Sequence, residues 1–416
     1  MTKLIIVMIG LPARGKTFMS QKLYRYYGWK GINTRIFNVG NKRRELYEFT
    51  DSVSFFNEEN INQMNKVAKS LLTEMIQWII QDDNKIAIFD ATNSNKERRS
   101  DIINTIDLFK IDNLRVCFIE SYCDISDIID KNIEMKMLNP DYKHKPKKDA
   151  LKDFNERMIY YIRNYEEFKI SEIKNKPNYS YLKITNINQL YKIYNVVGSH
   201  LSNLMSFMLN INIKTSKIYL TRHGESIFNT KNLIGGDSSL SDKGRKYSQE
   251  LYNYLNHLDG LTNMDIYTST LKRSKETSTY FRKLSECNNN ITISEKKCLD
   301  EIDAGTYDSM TYTDIKEKYP DDFELRKKDK LNYRYPMGES YKDLIQRLEG
   351  FIVDLESNDR PVLIIGHQAI IRVIYAYLMN IPLDDIPHLE VPLHCLIQLT
   401  PYSHYYHETK TFLNNY

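Results

Sequence analysis

The segment Gly10-Leu11-Pro12-Ala13-Arg14-Gly15-Lys16-Thr17 sets two glycines, a lysine and a hydroxyl at the spacing G-x-x-x-x-G-K-[ST]. Glycines let the backbone turn its N–H groups onto phosphate oxygens, and a helix start behind the loop adds partial positive charge. Lys16 can reach the β- and γ-phosphates of a nucleotide, and Thr17 can ligate Mg2+. Gly is scarce, 15 in 416 residues, so two at fixed positions of one motif carry weight. The apolar run Ile86-Ala87-Ile88-Phe89 ends on Asp90, a carboxylate that can stand beside the metal and the attacking hydroxyl. Thr92-Asn93, Lys96, Arg98 and Arg99 follow it, and Gly40-Asn41-Lys42-Arg43-Arg44 follows an earlier apolar run. Basic groups after strand carboxyl ends face the crevice where open α/β sheets bind ligands. With the phosphate cradle they point to a phosphorylated acceptor.

A second constellation lies in the other half. Leu220-Thr221-Arg222-His223-Gly224-Glu225 puts an Arg-His pair at the end of an apolar run, with Gly235-Gly236 downstream. Ser269-Thr270-Leu271-Lys272-Arg273, Leu299-Asp300-Glu301-Ile302-Asp303 and Ile364-Ile365-Gly366-His367-Gln368 add an arginine, acids and a second histidine. This set fits phosphoryl transfer onto imidazole. A neutral imidazole can attack phosphorus, and a nearby carbonyl or carboxylate fixes which nitrogen is free. Arg222, Arg273 and a charged or donating His367 would hold the phosphoryl group, and Glu301 would protonate the leaving alkoxide. This chemistry requires no metal.

These residues must be held by strands and helices. Leu4–Ile9, Thr34–Phe37, Lys85–Asp90 and Leu114–Glu120 read as buried strands. Helical spacing fills Lys16–Tyr27, Asn60–Gln81, Glu97–Phe109 and Asp124–Leu138, an alternation that implies βαβ units and a mainly parallel sheet. A helical segment is expected from about Leu190 to Leu209. The pattern restarts with a strand at Lys217–Thr221, a helix at Asp242–Leu258, a strand at Asp265–Ser269 and a helix at Leu271–Leu284. A helix at Tyr341–Leu355, a strand at Pro361–Ile365 and a strand-like Leu396–Pro401 follow. Two α/β domains are expected, 1–213 and 214–416.

The composition excludes several classes. Lys plus Arg number 58 against 54 Asp plus Glu, a net charge of +4, too small an excess for a nucleic-acid scaffold or polybasic membrane binder. No apolar stretch approaches the ~20 residues of a membrane span, and the start of the chain lacks a signal-peptide pattern. Five cysteines without a C-x-x-C pair suggest reduced thiols and a cytoplasmic protein, and the nine histidines show no zinc-ligand spacing. His404 and His407 read as surface residues.

In order along the chain, the GLPARGKT loop, FNVG-x-x-RR, FDATN-x-x-x-ERR, NPDYK, RHGES-x-x-N, IGGDS-x-LS, DEIDAG, YRYP-x-GESY, QRLE and GHQA resemble the bifunctional 6-phosphofructo-2-kinase/fructose-2,6-bisphosphatases. The resemblance spans essentially the whole chain. It implies an N-terminal P-loop kinase-like parallel sheet with helices on both faces, and a C-terminal histidine-phosphatase (phosphoglycerate-mutase-like) α/β domain. It implies that the kinase binds ATP with Mg2+ at Gly10–Thr17, with Thr17 and Asp90 at the metal and Asn132 near the adenine. Asp90 and Cys123 match active-site positions; Arg43, Thr92, Arg98, Lys136, Arg157 and Tyr161 match those that hold fructose 6-phosphate. In the second domain His223 would accept the phosphoryl group. Arg222, Asn229, Arg273 and His367 would surround the 2-phosphate, with Glu301 as proton donor. Gly235, Tyr312, Arg326, Lys330, Tyr341, Gln368 and Arg372 match the substrate pocket. A homodimer through the kinase halves is also implied.

Two departures bear on the kinase. An Arg that the family carries shortly after its Phe-Phe pair is missing here, where Phe55-Phe56 is followed by Asn65-Lys66-Val67-Ala68-Lys69. Lys cannot reproduce a bidentate fork, so weaker fructose 6-phosphate binding is expected. Asn41-Lys42 also replaces an acidic–aromatic pair, and the segment after Asn132 is one residue shorter. The alternative is therefore a fructose-2,6-bisphosphatase whose P-loop binds nucleotide as a regulator. A nucleotide sensor without catalysis and a kinase for another phosphorylated acceptor complete the range. Arg273 favours a working bisphosphatase, and the short ends make control through phosphorylated tails unexpected.

Overall fold

Each of the four apolar runs of the first half becomes a strand in the computed structural model, because each is too short and too β-branched for a buried helix. The structure describes residues 2–46, 58–137, 141–142, 145–187, 189–213, 216–259, 261–402 and 405–413. Phe55-Phe56, the expected domain start at Lys214, and His404 lie outside these. The chain folds as two units, Met1–Ile211 and Asn212–Tyr416.

The first unit has strands β1 (Lys3–Ile9), β2 (Thr34–Asn38), β3 (Ile86–Asp90), β4 (Leu114–Tyr122), β5 (Tyr179–Thr185) and β6 (Leu190–Tyr194). They form one sheet in the order β2-β3-β1-β4-β5-β6, parallel except for β6, which runs antiparallel to β5. Helices α1 (Lys16–Trp29), α2 (Val39–Leu46), α3 (Glu58–Ile80), α4 (Lys96–Leu108), α5 (Ser126–Lys136), α6 (Lys147–Arg163) and α7 (Ser199–Leu209) connect and cover it. Ile5, Val7 and Ile9 join Met75, Ile76 and Ile79 of α3 and Ile102 and Ile106 of α4 in one core. Leu4, Ile6 and Met8 are equally buried on the opposite face, as a parallel sheet covered on both sides requires. Tyr26 of α1 stacks on Phe207 of α7 with ring centroids 4.2 Å apart.

The second unit repeats the design with a different strand order. Its strands are β7 (Ile218–Arg222), β8 (Met264–Thr268), β9 (Ile291–Glu295), β10 (Val362–Gly366), β11 (Cys395–Tyr402) and β12 (Tyr405–Phe412), ordered β12-β11-β7-β10-β8-β9. Strands β7 to β10 are parallel, and β11 is antiparallel to both its neighbours. The helices are α8 (Ile227–Thr230), α9 (Asp242–Asp259), α10 (Lys272–Thr277), α11 (Thr279–Cys287), α12 (Tyr312–Lys318), α13 (Pro320–Lys328), α14 (Tyr341–Ser357) and α15 (Gln368–Met379).

Two expected helices are corrected. The segment Leu190–Leu209 is helical only from Ser199; Leu190–Tyr194 is the edge strand β6, whose five-residue run fits either period. Leu271–Leu284 is two helices, α10 and α11, which meet at Ser278.

Candidate active sites

The phosphate cradle spans the turn from β1 to α1. Gly10 has φ +139°, and a Cβ there would stand 2.4 Å from the Ser121 carbonyl oxygen, so only Gly lets the loop pass β4. Gly10 N–H donates to the Thr92 carbonyl at 2.9 Å, which ties the loop to the segment after β3. Ser121 Oγ donates to the Arg14 carbonyl, and Asn132 Nδ2 of α5 donates to the Ala13 carbonyl at 3.0 Å. Lys16 is buried and its Nζ donates to the Leu11 carbonyl at 2.6 Å. Burial pushes its pKa down to about 7, against the pull of Asp90. Asp90 is itself buried at the end of β3 and accepts from Asn38 Nδ2 at 2.6 Å. Cys123 is buried just past β4, near enough to Arg14 to act on its charge.

The acceptor candidates gather beside this loop. Lys136, at the end of α5, has its pKa lowered by burial and feels Asp90, as Lys16 does. Tyr161 of α6 is half-buried; desolvation pushes its hydroxyl up, while Arg43, Arg157 and Arg98 pull it down. Those three arginines, from α2, α6 and α4, therefore converge on one tyrosine. Arg43 pairs with Asp141 at 2.6 Å, and Arg157 with Asp153 at 2.9 Å.

One basic residue of the sequence set turns away from this crevice. Arg99 is fully buried on the other side of α4, where Nε and Nη2 meet Glu172 at 2.9 and 2.8 Å. Its role is structural, and helical geometry explains the split: neighbours on a helix point about 100° apart. Lys96 is exposed. Of the candidates for the missing Arg, Lys66 is exposed and Lys69 pairs with Asp101 at 3.4 Å, an acid that also acts on Arg98.

In the second unit a cavity of 370 Å³ takes in Arg222, His223, Asn229, Gly235, Arg273 and Glu301. Tyr312, Arg326, Lys330, Tyr341, Gln368 and Arg372 also line it. His223 Nδ1 sits 2.7 Å from the Gly224 carbonyl, so it carries the proton and Nε2 holds the lone pair. Arg273 Nε donates to that Nε2 at 3.1 Å. Burial lowers the His223 pKa well below the usual value, with Arg273 and Arg222 adding to the effect, and the ring is neutral.

His367 lies behind it with ring centroids 5.0 Å apart, fully buried, and its pKa is likewise lowered well below normal by burial and the arginines. It is therefore a neutral donor here rather than a charged one. Its Nε2 is 2.7 Å from Ser269 Oγ, and its Nδ1 is buried without a partner. Arg222 also has an unpartnered buried Nε. Buried polar atoms left open beside a polar cavity mark places for an anion. Glu301 Oε1 accepts from the backbone N–H of Ile302 at 3.0 Å and of Ala369, in the first turn of α15, at 3.1 Å.

The outer part of the cavity is basic and aromatic. Arg326 donates to the Tyr335 and Tyr312 hydroxyls at 2.8 and 2.9 Å, and Arg372 to the Tyr341 hydroxyl at 3.0 Å. Gly235 has φ +67°, and a Cβ there would run into Asp308 Oδ1 at 1.6 Å. Asn229 Oδ1 closes a capping box with Ser226, so its side chain is fixed before any ligand arrives.

Sequence reading misses several neighbours. His394 is buried, accepts from Glu225 N–H at 3.1 Å and stacks on Tyr247 at 4.6 Å. Nothing in the run Pro392-Leu393-His394 marks it. Ser269 stands out in the sequence only as a neighbour of Arg273, although its place directly after β8 is the available signal. Tyr335, within the YRYP run, lines the cavity and has no role assigned from sequence.

The folds and sites define a chain with a phosphate-cradle kinase unit followed by a histidine phosphatase unit. The family model for 6-phosphofructo-2-kinase matches residues 1–215, and that for the histidine phosphatase superfamily (branch 1) matches residues 218–413. The chain is 39% identical over 407 residues to fructose-2,6-bisphosphatase of Saccharomyces cerevisiae, covering 96% of this chain and 86% of that protein. It is 37% identical over 414 residues to 6-phosphofructo-2-kinase/fructose-2,6-bisphosphatase 4 of Rattus norvegicus, covering 99% and 85%. The chain belongs to the bifunctional 6-phosphofructo-2-kinase/fructose-2,6-bisphosphatase family.

Proposed function

We propose that the first unit phosphorylates fructose 6-phosphate at O2 with ATP, and that the second hydrolyses fructose 2,6-bisphosphate through a phosphohistidine. The chain would then set the level of this glycolytic regulator. The observation that carries the reading is the meeting of a neutral His223, with Nε2 free of its proton, and Arg222, Arg273 and Glu301 in one cavity.

In the kinase unit the donor set suits ATP with Mg2+: backbone amides from Ala13 to Gly15, the Lys16 ammonium, the Thr17 hydroxyl and the buried Asp90 carboxylate. When bound, the nucleotide and its cation supply the phosphoryl group and neutralise its charge. Lys16 turns from Leu11 to the phosphates, Asp90 takes the proton of the acceptor hydroxyl, and Cys123 flanks the site. Asn132 keeps its bond to Ala13 and offers Oδ1 to the adenine. Thr92, Arg98, Lys136, Arg43, Arg157 and Tyr161 orient the sugar phosphate.

In the phosphatase unit His223 Nε2 attacks phosphorus and the P–O2 bond breaks. Glu301, in its acid form, gives the leaving oxygen its proton. Water then attacks the phosphohistidine, Glu301 takes the proton back, and phosphate leaves. Arg222, Arg273, Asn229 and the Nδ1–H of His367 hold the transferring group. Arg326, Lys330, Arg372, Tyr312, Tyr341 and Gln368 hold the sugar and its 6-phosphate.

The exposed Leu190 and Ile193 on the edge strand β6 support a homodimer through the first unit. Five free thiols support a cytoplasmic location, and no helix of the described residues is long and apolar enough to cross a membrane. A second reading keeps the phosphatase and weakens the kinase. It is favoured by Lys69 pairing with Asp101 and by a 39%-identical relative named for the phosphatase alone. An assay of the His223→Ala chain with ATP-Mg2+ and fructose 6-phosphate separates the two. An acid-labile sugar bisphosphate is expected, and its absence at millimolar acceptor would leave only the phosphatase.

A further inference from the structure

Among the described residues, Glu301 has no side-chain hydrogen-bond partner that aims it. Its carboxylate meets only the backbone N–H groups of Ile302 and Ala369, so its position follows from the course of the loop 297–303. That loop is gathered by one guanidinium. Arg347, on α14, donates through Nη1 to the carbonyls of Lys297 at 3.3 Å, Cys298 at 3.2 Å and Asp300 at 3.0 Å. Its Nη2 meets the Glu301 carbonyl at 3.5 Å and Glu339 Oε2 at 2.9 Å. The same Glu339 oxygen accepts from Asp303 N–H at 3.0 Å, closing the far end of the loop. Asp300 in turn accepts from Thr270 N–H at 2.7 Å, just ahead of the helix that carries Arg273.

We propose that Arg347 is a positioning residue for proton transfer, holding the Glu301 loop so that its carboxyl group reaches the leaving oxygen. The inference rests on the proton-donor role of Glu301. A guanidinium has five donors in a fixed plane and can serve several carbonyls and a carboxylate at once; an ammonium cannot keep that geometry. Arg347 itself is absent from the cavity lining, so it acts through the loop and not on the substrate. Proton transfer needs heavy atoms within ~3 Å, and a displacement of ~1 Å costs roughly 10²-fold in rate.

The test compares two leaving groups in rapid-quench bursts, which isolate formation of the phosphohistidine. The alkoxide of fructose 2,6-bisphosphate needs a proton, whereas nitrophenolate leaves p-nitrophenyl phosphate without one. Arg347→Met is expected to slow the fructose 6-phosphate burst about 10–100-fold and the nitrophenolate burst by no more than about twofold. Equal bursts, both slowed or both unchanged, speak against the inference. Should Arg347→Met lose both through misfolding, Arg347→Lys decides: a partial form of the same split supports the role, and an equal change overturns it. Glu301→Gln keeps the two failures apart. If Glu301→Gln shows the split and the Arg347 variants do not, positioning by Arg347 is wrong. If Glu301→Gln slows both bursts alike, the proton-donor reading fails and takes the inference with it.

Discussion

The two sites keep their cations in different company. In the phosphatase cavity the basic groups rest on neutral oxygens: Arg222 on Val391, Arg273 on Gly236 and Lys330 on Pro387, all backbone carbonyls. Arg326 and Arg372 hold tyrosine hydroxyls. None of these five forms an ion pair among the described residues. In the kinase crevice Arg43 is paired with Asp141 and Arg157 with Asp153, while Lys16 is folded back onto its own loop. A phosphorylated ligand entering the second unit meets cations that are not held in ion pairs, with Glu301 the acid that lines the cavity beside Arg222 and Arg273. In the first unit it must share or displace carboxylates. The second site thus holds its cations ready for an anion, whereas the first keeps two of its arginines in ion pairs.

The largest test of this contrast removes the preformed nucleophile. His223→Ala should lower hydrolysis of fructose 2,6-bisphosphate by about 10⁴-fold or more and abolish labelled phosphoenzyme. Synthesis should continue. A phosphoenzyme that persists in this variant would put the nucleophile elsewhere. Next in size, Lys16→Met should cut synthesis about 10²–10³-fold and leave hydrolysis within about twofold. Parallel loss of both activities would show that the sites are not separate.

The third test uses the two depressed lysines. Burial pushes Lys16 down to about 7, and burial with Arg372 and Arg326 pushes Lys330 down to about 8. Each is charged below its pKa and loses that charge above it, and phosphate binds the charged form. The KM for ATP should therefore rise from about pH 7 upward, and the phosphatase KM from about pH 8, each approaching about tenfold per pH unit. Steady-state kinetics across pH 6–9 check this. Lys330→Met should raise the phosphatase KM at pH 7 and flatten its rise. A phosphatase KM that still climbs in this variant would assign the titration to another group.

Much of this is legible in the sequence because phosphate chemistry sits at strand ends, where sequence is easiest to read. The runs ending at Ile9, Asp90, Arg222 and Gly366 are short, apolar and followed by the reacting residues. Helix α6, which carries Arg157 and Tyr161, does not announce itself as an element. Its buried apolar face is only Ala150, Phe154 and Met158, in a stretch otherwise dense in charge. Family resemblance alone points to its two site residues. The supports of the second site stay hidden for another reason. Arg347, Ser269 and His394 work through backbone carbonyls, backbone amides and buried rings, and such partners leave no trace in side-chain type. Arg99 and Arg98 look alike in sequence; the turn of one helix sends one to the crevice and the other to Glu172.

The smallest effect expected bears most directly on the contrast. If the kinase crevice is held back by its own carboxylates, a neutral partner in place of one should make it behave more like the phosphatase cavity. Asp141 accepts from Arg43 at 2.6 Å and also meets Arg44 at 3.4 Å. In Asp141→Asn the amide oxygen still accepts the Arg43 hydrogen bond, so the side chain stays directed while the competing charge disappears. The KM for fructose 6-phosphate should fall about two- to fivefold, the size of a partly screened ion pair worth ~0.5–1 kcal/mol. The kcat should hold, because neither residue contacts the transferred group. A drop that vanishes at about 0.5 M salt would mark the effect as electrostatic. A rise in KM would mean instead that Asp141 orients Arg43 for its ligand, and the kinase site would then count as holding its cations ready in the same sense as its neighbour.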